Sequence, residues 1–131
     1  MNIVAIVGRV LFSILFLYNG WNHFTQYRGL VDYAGMMGAP LPSVTVPLTG
    51  LMLIAGGLSI LVGYYHRIGS WLLAVFLILA AFIMHPFWSI EDPMAASTEQ
   101  LQFLKDLSLA GAALLISLLT EEQIRKGSTQ A

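Results

Sequence analysis

Few side chains in this chain can do chemistry, and they are unevenly placed. Asn19 and His23, His85 and Trp88, and Lys105 and Asp106 interrupt three otherwise apolar stretches. Imidazoles exchange protons near neutral pH. His23 and His85 are therefore candidate catalytic acid–base groups, with Asp106 as a candidate proton relay. Asn19 offers an amide to orient a carbonyl, Lys105 a cation for a developing oxyanion, and Trp88 an apolar wall. Arg9 stands alone among apolar residues near the start and reads either as a ligand contact or as a topology-setting charge. The chain has no glycine-rich phosphate loop, no His-Glu-x-x-His and no serine-centred elbow. The histidines and Asp106 lack metal-ligand spacing on one helix. Neither a metal nor a nucleotide is expected. Cysteine is absent, which removes disulfides, thiolate sites and thiol redox chemistry. The chemistry that remains is proton or electron transfer through a bound small molecule.

The elements that position these groups follow from composition. Of the 131 residues, 57% are hydrophobic and only 10% charged, against about 25% charged in soluble domains. That is too little charge for a water-facing surface. The net charge of −1 leaves no basic footprint for nucleic acid. A membrane-crossing helix needs about 20 mostly apolar residues. Four stretches approach this, at about 3–24, 44–63, 68–88 and 101–120. The expected fold is an all-α membrane protein, a single domain built as an antiparallel bundle of four transmembrane helices in contact with the lipid bilayer. Tyr64–Tyr65–His66–Arg67 is a short turn that makes the second and third helices neighbours. Ser97–Thr98–Glu99–Gln100 reads as a capping box, which starts the fourth helix near Thr98. Between the first two spans, Leu30, Ala34 and Met37 share a helical face. A short interfacial helix closed at Gly38 is expected there, followed by an extended re-entry forced by Pro40 and Pro42.

Four spans put both termini and the 64–67 turn on one side. That side carries Arg67, Arg125 and Lys126, with Arg9 close by, while Arg28 lies on the other. The positive-inside rule places both termini in the cytoplasm. Asn19, His23, His85, Trp88, Lys105 and Asp106 then share a depth near the outer face. The inner half holds little besides Arg9 and hydroxyls. Small residues mark close helix contacts in lipid. On the first and third spans they lie on the faces bearing His23 and His85. On the fourth span, Ser108, Gly111 and Ala112 follow Lys105, while Ala110, Ala113 and Ser117 follow Asp106. Either charge can turn inward. The plainer reading keeps Lys105 snorkelling to the headgroups and the histidines at the interface.

The residues resemble a known family, the DoxX family of small four-span membrane proteins. The resemblance is carried by Arg9 with Gly20 and the polar residues after it, by Gly38-Ala-Pro-Leu-Pro42, by Gly56-Gly57 with Gly63, and by Phe103-Leu-Lys-Asp-Leu-Ser-Leu-Ala-Gly111-Ala-Ala-Leu-Leu115. Members often carry a Glu shortly before the Gly-Gly pair; Leu51-Met-Leu-Ile-Ala55 has no acid here, so Asp106 is the substitute to consider. The resemblance implies a bacterial inner-membrane location. It also implies a role linked to thiosulfate:quinone oxidoreduction or to detoxification partners such as superoxide dismutase and a sulfurtransferase.

Two functions follow from these readings. One is a quinone-linked redox subunit with a pocket between the first, third and fourth spans. His23 and His85 would donate to the quinone there, Asn19 would orient it, Lys105 and Asp106 would handle charge and protons, and Trp88 would form a wall. The other is a non-catalytic membrane scaffold that docks a partner protein. Either works with a partner protein or as a homo-oligomer.

Overall fold

A computed structural model describes residues 2–127. Among the described residues the fold is entirely helical. The elements are α1 (Ile3–Thr25), α2 (Tyr27–Met36), α3 (Pro42–Val62), α4 (His66–Met84), a 3-10 turn (Phe87–Ser89), α5 (Pro93–Ser117) and α6 (Glu121–Lys126). Local chemistry explains each boundary. Asn2 caps α1, its side chain accepting from the Val4 amide at 2.9 Å. The expected interfacial helix is α2, and Gly38 closes it with φ of +85°.

The re-entry into α3 differs from the extended form expected. Leu41 is left-handed, with φ of 44°. This conformation is strained for a residue before proline. It lets the Leu41 carbonyl take both the Val44 and Thr45 amides at 2.9 Å, so the first turn of α3 forms without a side-chain cap. Pro47 sits inside α3 and has no N–H for the Ser43 carbonyl. The Tyr27 hydroxyl from α2 donates to that carbonyl at 2.8 Å instead, which satisfies the gap.

Pro86 forces His85 out of helical geometry (φ −126°, ψ 56°) and ends α4. The fourth helix starts earlier than expected. Asp92, rather than the 97–100 segment, is its cap, accepting from the Ala95 amide at 2.9 Å, with Pro93 in the first turn. A true capping box appears later, at Thr120 and Gln123, and opens α6, which was not anticipated.

The helices run antiparallel, α1 packing on α3, α3 on α4, and α4 on α5. Glycines set the seams. A methyl group built on Gly20 would lie 2.6 Å from Ile54 Cγ1, and one on Gly57 3.1 Å from Leu17 Cγ, so α1 and α3 meet closely. On the other side of α3, Gly56 faces Leu73 and the Gly69 carbonyl, and Gly69 faces Ser59. These are small-residue contacts of the kind lipid-embedded helices use. Phe16, Leu53, Ile60, Leu73, Leu77 and Ala113 fill the core, while Leu11, Ile14, Leu51, Val75, Leu79 and Phe82 point outward. An apolar exterior of this kind belongs in lipid. Three helical segments, Ile3–Thr25, Pro42–Val62 and His66–Ser89, are long and apolar enough to cross a membrane.

Candidate functional site

Because Pro86 stops α4, His85 projects from a helix end, and its ring lies between two acids of α5. His85 Nδ1 is 2.7 Å from Glu99 Oε2, and His85 Nε2 is 3.5 Å from Asp106 Oδ2. Glu99 and Asp106 lie two helical turns apart and so share a face. The short contact has the length of a charge-assisted hydrogen bond; the longer one is loose. An imidazolium can donate to both carboxylates. A neutral ring donating from Nδ1 to Glu99 leaves Nε2 an acceptor, and Asp106 then needs a proton of its own to complete the contact. An arrangement of this kind can hold a proton between His85 Nε2 and Asp106.

Aromatic rings pin this end. Phe103 of α5 lies 5.1 Å from Phe82, 5.3 Å from Phe87 and 5.7 Å from Trp88, ring centre to ring centre. The edge-to-face geometry is favourable. It clamps the 3-10 turn onto α5. Trp88 is 57% exposed and forms the open edge of the cluster.

The other expected residues fall into place as follows. Asp106 is buried and Lys105 exposed, so of the two stripes on α5 the one with Ala110, Ala113 and Ser117 faces inward. Gly111, on the other stripe, meets open space. His23 is held separately. Its Nδ1 donates to the Val46 carbonyl at 2.9 Å, with Thr49 Oγ1 at 3.1 Å. Its ring faces the edge of Phe76 at 6.1 Å. Phe76 precedes His85 on α4 by about 13 Å of helix rise, so the two imidazoles occupy different levels. Asn19 is half-buried one turn before His23. Arg9 lies at the opposite end of the bundle, against Gly63. The structure thus brings His85 and Asp106 together, adds Glu99, and keeps His23, Asn19 and Arg9 apart from them.

Sequence reasoning missed three polar residues. Glu99 was absorbed into the capping-box reading; its two-turn spacing from Asp106 was the available signal. Thr49, which fixes His23, gave none. The sequence places His66 in a turn, yet it begins α4 and is 1% exposed, with Nε2 donating to the Leu119 carbonyl at 2.7 Å. Buried in the terminal half beside the expected hydroxyls of Ser13, Ser70 and Ser117, His66 is the polar group that the sequence reading did not place there. Open clefts lie elsewhere among the described residues. One of about 370 Å³ lies between His66 and Thr120, and another of about 320 Å³ runs along Ser97, Leu101 and Leu104. Neither is lined by His23, His85 or Asp106.

The DoxX family pattern matches residues 4–86. The chain belongs to the DoxX family. An Escherichia coli K12 relative, inner membrane protein YqjF, is 33% identical over 117 residues, covering 89% of this chain and 84% of that protein. A second, inner membrane protein YphA of the same organism, is 24% identical over 116 residues, covering 88% and 82%. No solved structure is significantly similar. In this DoxX protein the family match takes in His85 and stops at Pro86. The acids that flank His85, and the Phe103–Leu115 stretch, lie beyond it.

Proposed function

We propose that this DoxX protein is a four-span inner-membrane subunit that works with a quinone at the α4–α5 end, with both termini in the cytoplasm. The observation that carries the reading is the loose 3.5 Å contact between His85 Nε2 and Asp106, beside a tight contact to Glu99. Nε2 can exchange Asp106 for another acceptor at little cost, while Glu99 keeps the ring oriented.

The donor set suits a quinone carbonyl: an imidazole N–H at a half-exposed helix end, with Trp88 and Phe103 as apolar walls. A bound quinone would supply a two-electron, two-proton couple. His85 would pass one proton from Nε2 to a carbonyl oxygen, a protonated Asp106 would reprotonate Nε2 and be recharged from water, a second such cycle would supply the second proton, and Glu99 would hold the ring through Nδ1. Electrons would come from a partner protein. Lys105, turned outward, would sit among lipid headgroups rather than on the ligand. α5 acts as the fourth span in this reading. Its exposed Leu101, Leu104, Leu115 and Leu118 support burial in lipid, and its Lys105 lies near the boundary. The inner-membrane placement rests on the names of the two relatives.

A second reading is a scaffold in which His85 only ties α4 to α5. It is favoured by the fact that both ring nitrogens already have partners. Isolation in mild detergent separates the two. Mass spectrometry of the extracted lipids should find quinone retained in stoichiometric amount by the wild type and lost from a monodisperse His85→Ala variant. Phospholipid alone in both preparations would refute the quinone reading and leave the scaffold.

A further inference from the structure

At the end of the bundle that carries both termini, two arginines reach the same point. A methyl group built on Gly63 would lie 2.7 Å from Arg9 Nη1 and 3.5 Å from Arg125 Cδ, and it would also run into Arg125 Cγ. Gly63 has φ of +80° and ends α3. The missing side chain there leaves room for the Arg9 guanidinium and the aliphatic stem of Arg125. Guanidinium groups do not lose their charge in proteins, so two of them at one end of the bundle favour an anion close by.

The described residues supply little of that anion. No carboxylate among them lies within 4.0 Å of Arg9. Its Nε is buried and has no hydrogen-bond partner. An unpaired buried donor on a charged group is expensive in this setting. Arg125 is positioned rather than neutralised. Its guanidinium lies 4.6 Å over the Tyr64 ring, Nη1 donates to the Tyr64 hydroxyl at 3.0 Å, and Nε donates to the Glu121 carbonyl at 3.2 Å. The nearest carboxylate oxygen, of Glu121, is 3.9 Å away on the exposed surface, a weak pair. The Tyr64 hydroxyl accepts from Arg125 and keeps its own hydrogen to donate elsewhere.

Two fork-shaped cations and a hydroxyl donor, placed where apolar helices end, match one kind of anion. Guanidinium binds phosphate oxygens in bidentate fashion. Basic pockets at helix ends on a membrane surface attract anionic headgroups. We propose that Arg9, Arg125 and the Tyr64 hydroxyl form a phosphate-binding site at the terminal end of the bundle, filled by the phosphate of a phospholipid headgroup or by free phosphate. The site lies at the far end from His85 and does not depend on the quinone reading.

The test uses the full chain in mild detergent, titrated with phosphatidylglycerol, phosphatidylcholine or inorganic phosphate while thermal unfolding is followed. Native mass spectrometry counts the lipids retained. Phosphatidylglycerol should raise the unfolding temperature of the wild type and remain bound in preference to phosphatidylcholine. Arg9→Gln and Arg125→Gln should each weaken this response about tenfold or more, the loss expected for charged hydrogen bonds. Arg28→Gln, at the opposite end, should leave it unchanged. A response to inorganic phosphate with no further effect of lipid assigns the site to free phosphate; a response to lipid alone assigns it to the headgroup. Arg125→Gln changes a half-buried residue of the short terminal helix α6 and carries the test if Arg9→Gln fails to fold. Equal retention of both lipids with no response to phosphate, or a full response in a folded Arg9→Gln or Arg125→Gln variant, would overturn the proposal.

Discussion

Gly56→Ala should loosen the seam between α3 and α4, and its size can be worked from the packing. The added methyl would lie 2.6 Å from Leu73 Cγ and 2.9 Å from the Gly69 carbonyl oxygen. Leu73 is fully buried, at 0% exposure, and the carbonyl is backbone, so neither gives way unless the helices part. Overpacking of this kind costs about 1–3 kcal/mol. Alanine in place of glycine inside a helix returns up to about 1 kcal/mol. With the full helix gain returned, the net expectation is a loss of about 0–2 kcal/mol. Gly111→Ala is the control. Nothing lies within 4 Å of a methyl there, so it collects only the helix term and should gain up to about 1 kcal/mol. Both are read by reversible unfolding in mixed micelles with a rising fraction of denaturing detergent, followed by circular dichroism. If the two variants shift stability in the same direction by the same amount, α3 and α4 do not meet at Gly56 and the packing argument fails.

The remaining predictions concern α5 and the topology. Asp106→Leu leaves His85 Nε2 without its carboxylate and should destabilise the bundle by about 1–3 kcal/mol, whereas the exposed Lys105→Gln should stay within about 0.5 kcal/mol of wild type; equal effects in the same unfolding assay would mean that the wrong face of α5 has been turned inward. For the orientation, a cysteine at the exposed Ser97 should react with an impermeant maleimide in intact cells, and one at the exposed Glu122 should react only after lysis. The reverse pattern would invert the proposed topology.

Much of the architecture is legible in the sequence because lipid leaves few options. Long apolar runs must be helices, their backbone groups having no other partner. Short turns then fix the neighbours. Gly20, Gly56 and Gly57 announce the seams, since only small residues let helices approach so closely. The sequence is ambiguous wherever two solutions share one pattern. On α5 both charged residues are followed by small residues at helical spacing, and only packing against α4 selects Asp106. The start of α5 was misplaced because Ser97–Gln100 and Asp92–Pro93 are both acceptable helix openings. The earlier one wins and puts Glu99 nearly two turns inside the helix, where it meets His85. His66 is hidden by its place in the 64–67 turn, because the left-handed Tyr65 lets α4 begin at His66, two residues before the expected span. The convergence of His23 with His85 rests, in the sequence, on shared depth and on small-residue stripes that turn both faces inward. Depth does not resolve level within a leaflet, and the backbone carbonyl of Val46 is a partner no sequence pattern displays.

The central claim is that His85 Nε2 is available to a quinone beside Trp88. It is tested most directly by titrating a short-chain quinone into a form that keeps only Trp88, made by Trp21→Phe and Trp71→Phe, and following its fluorescence. Saturable quenching is expected, with the apparent Kd raised about two- to tenfold by His85→Gln, the loss of one neutral hydrogen bond. Quenching that rises linearly without saturation, or an unchanged Kd in His85→Gln, would contradict the account.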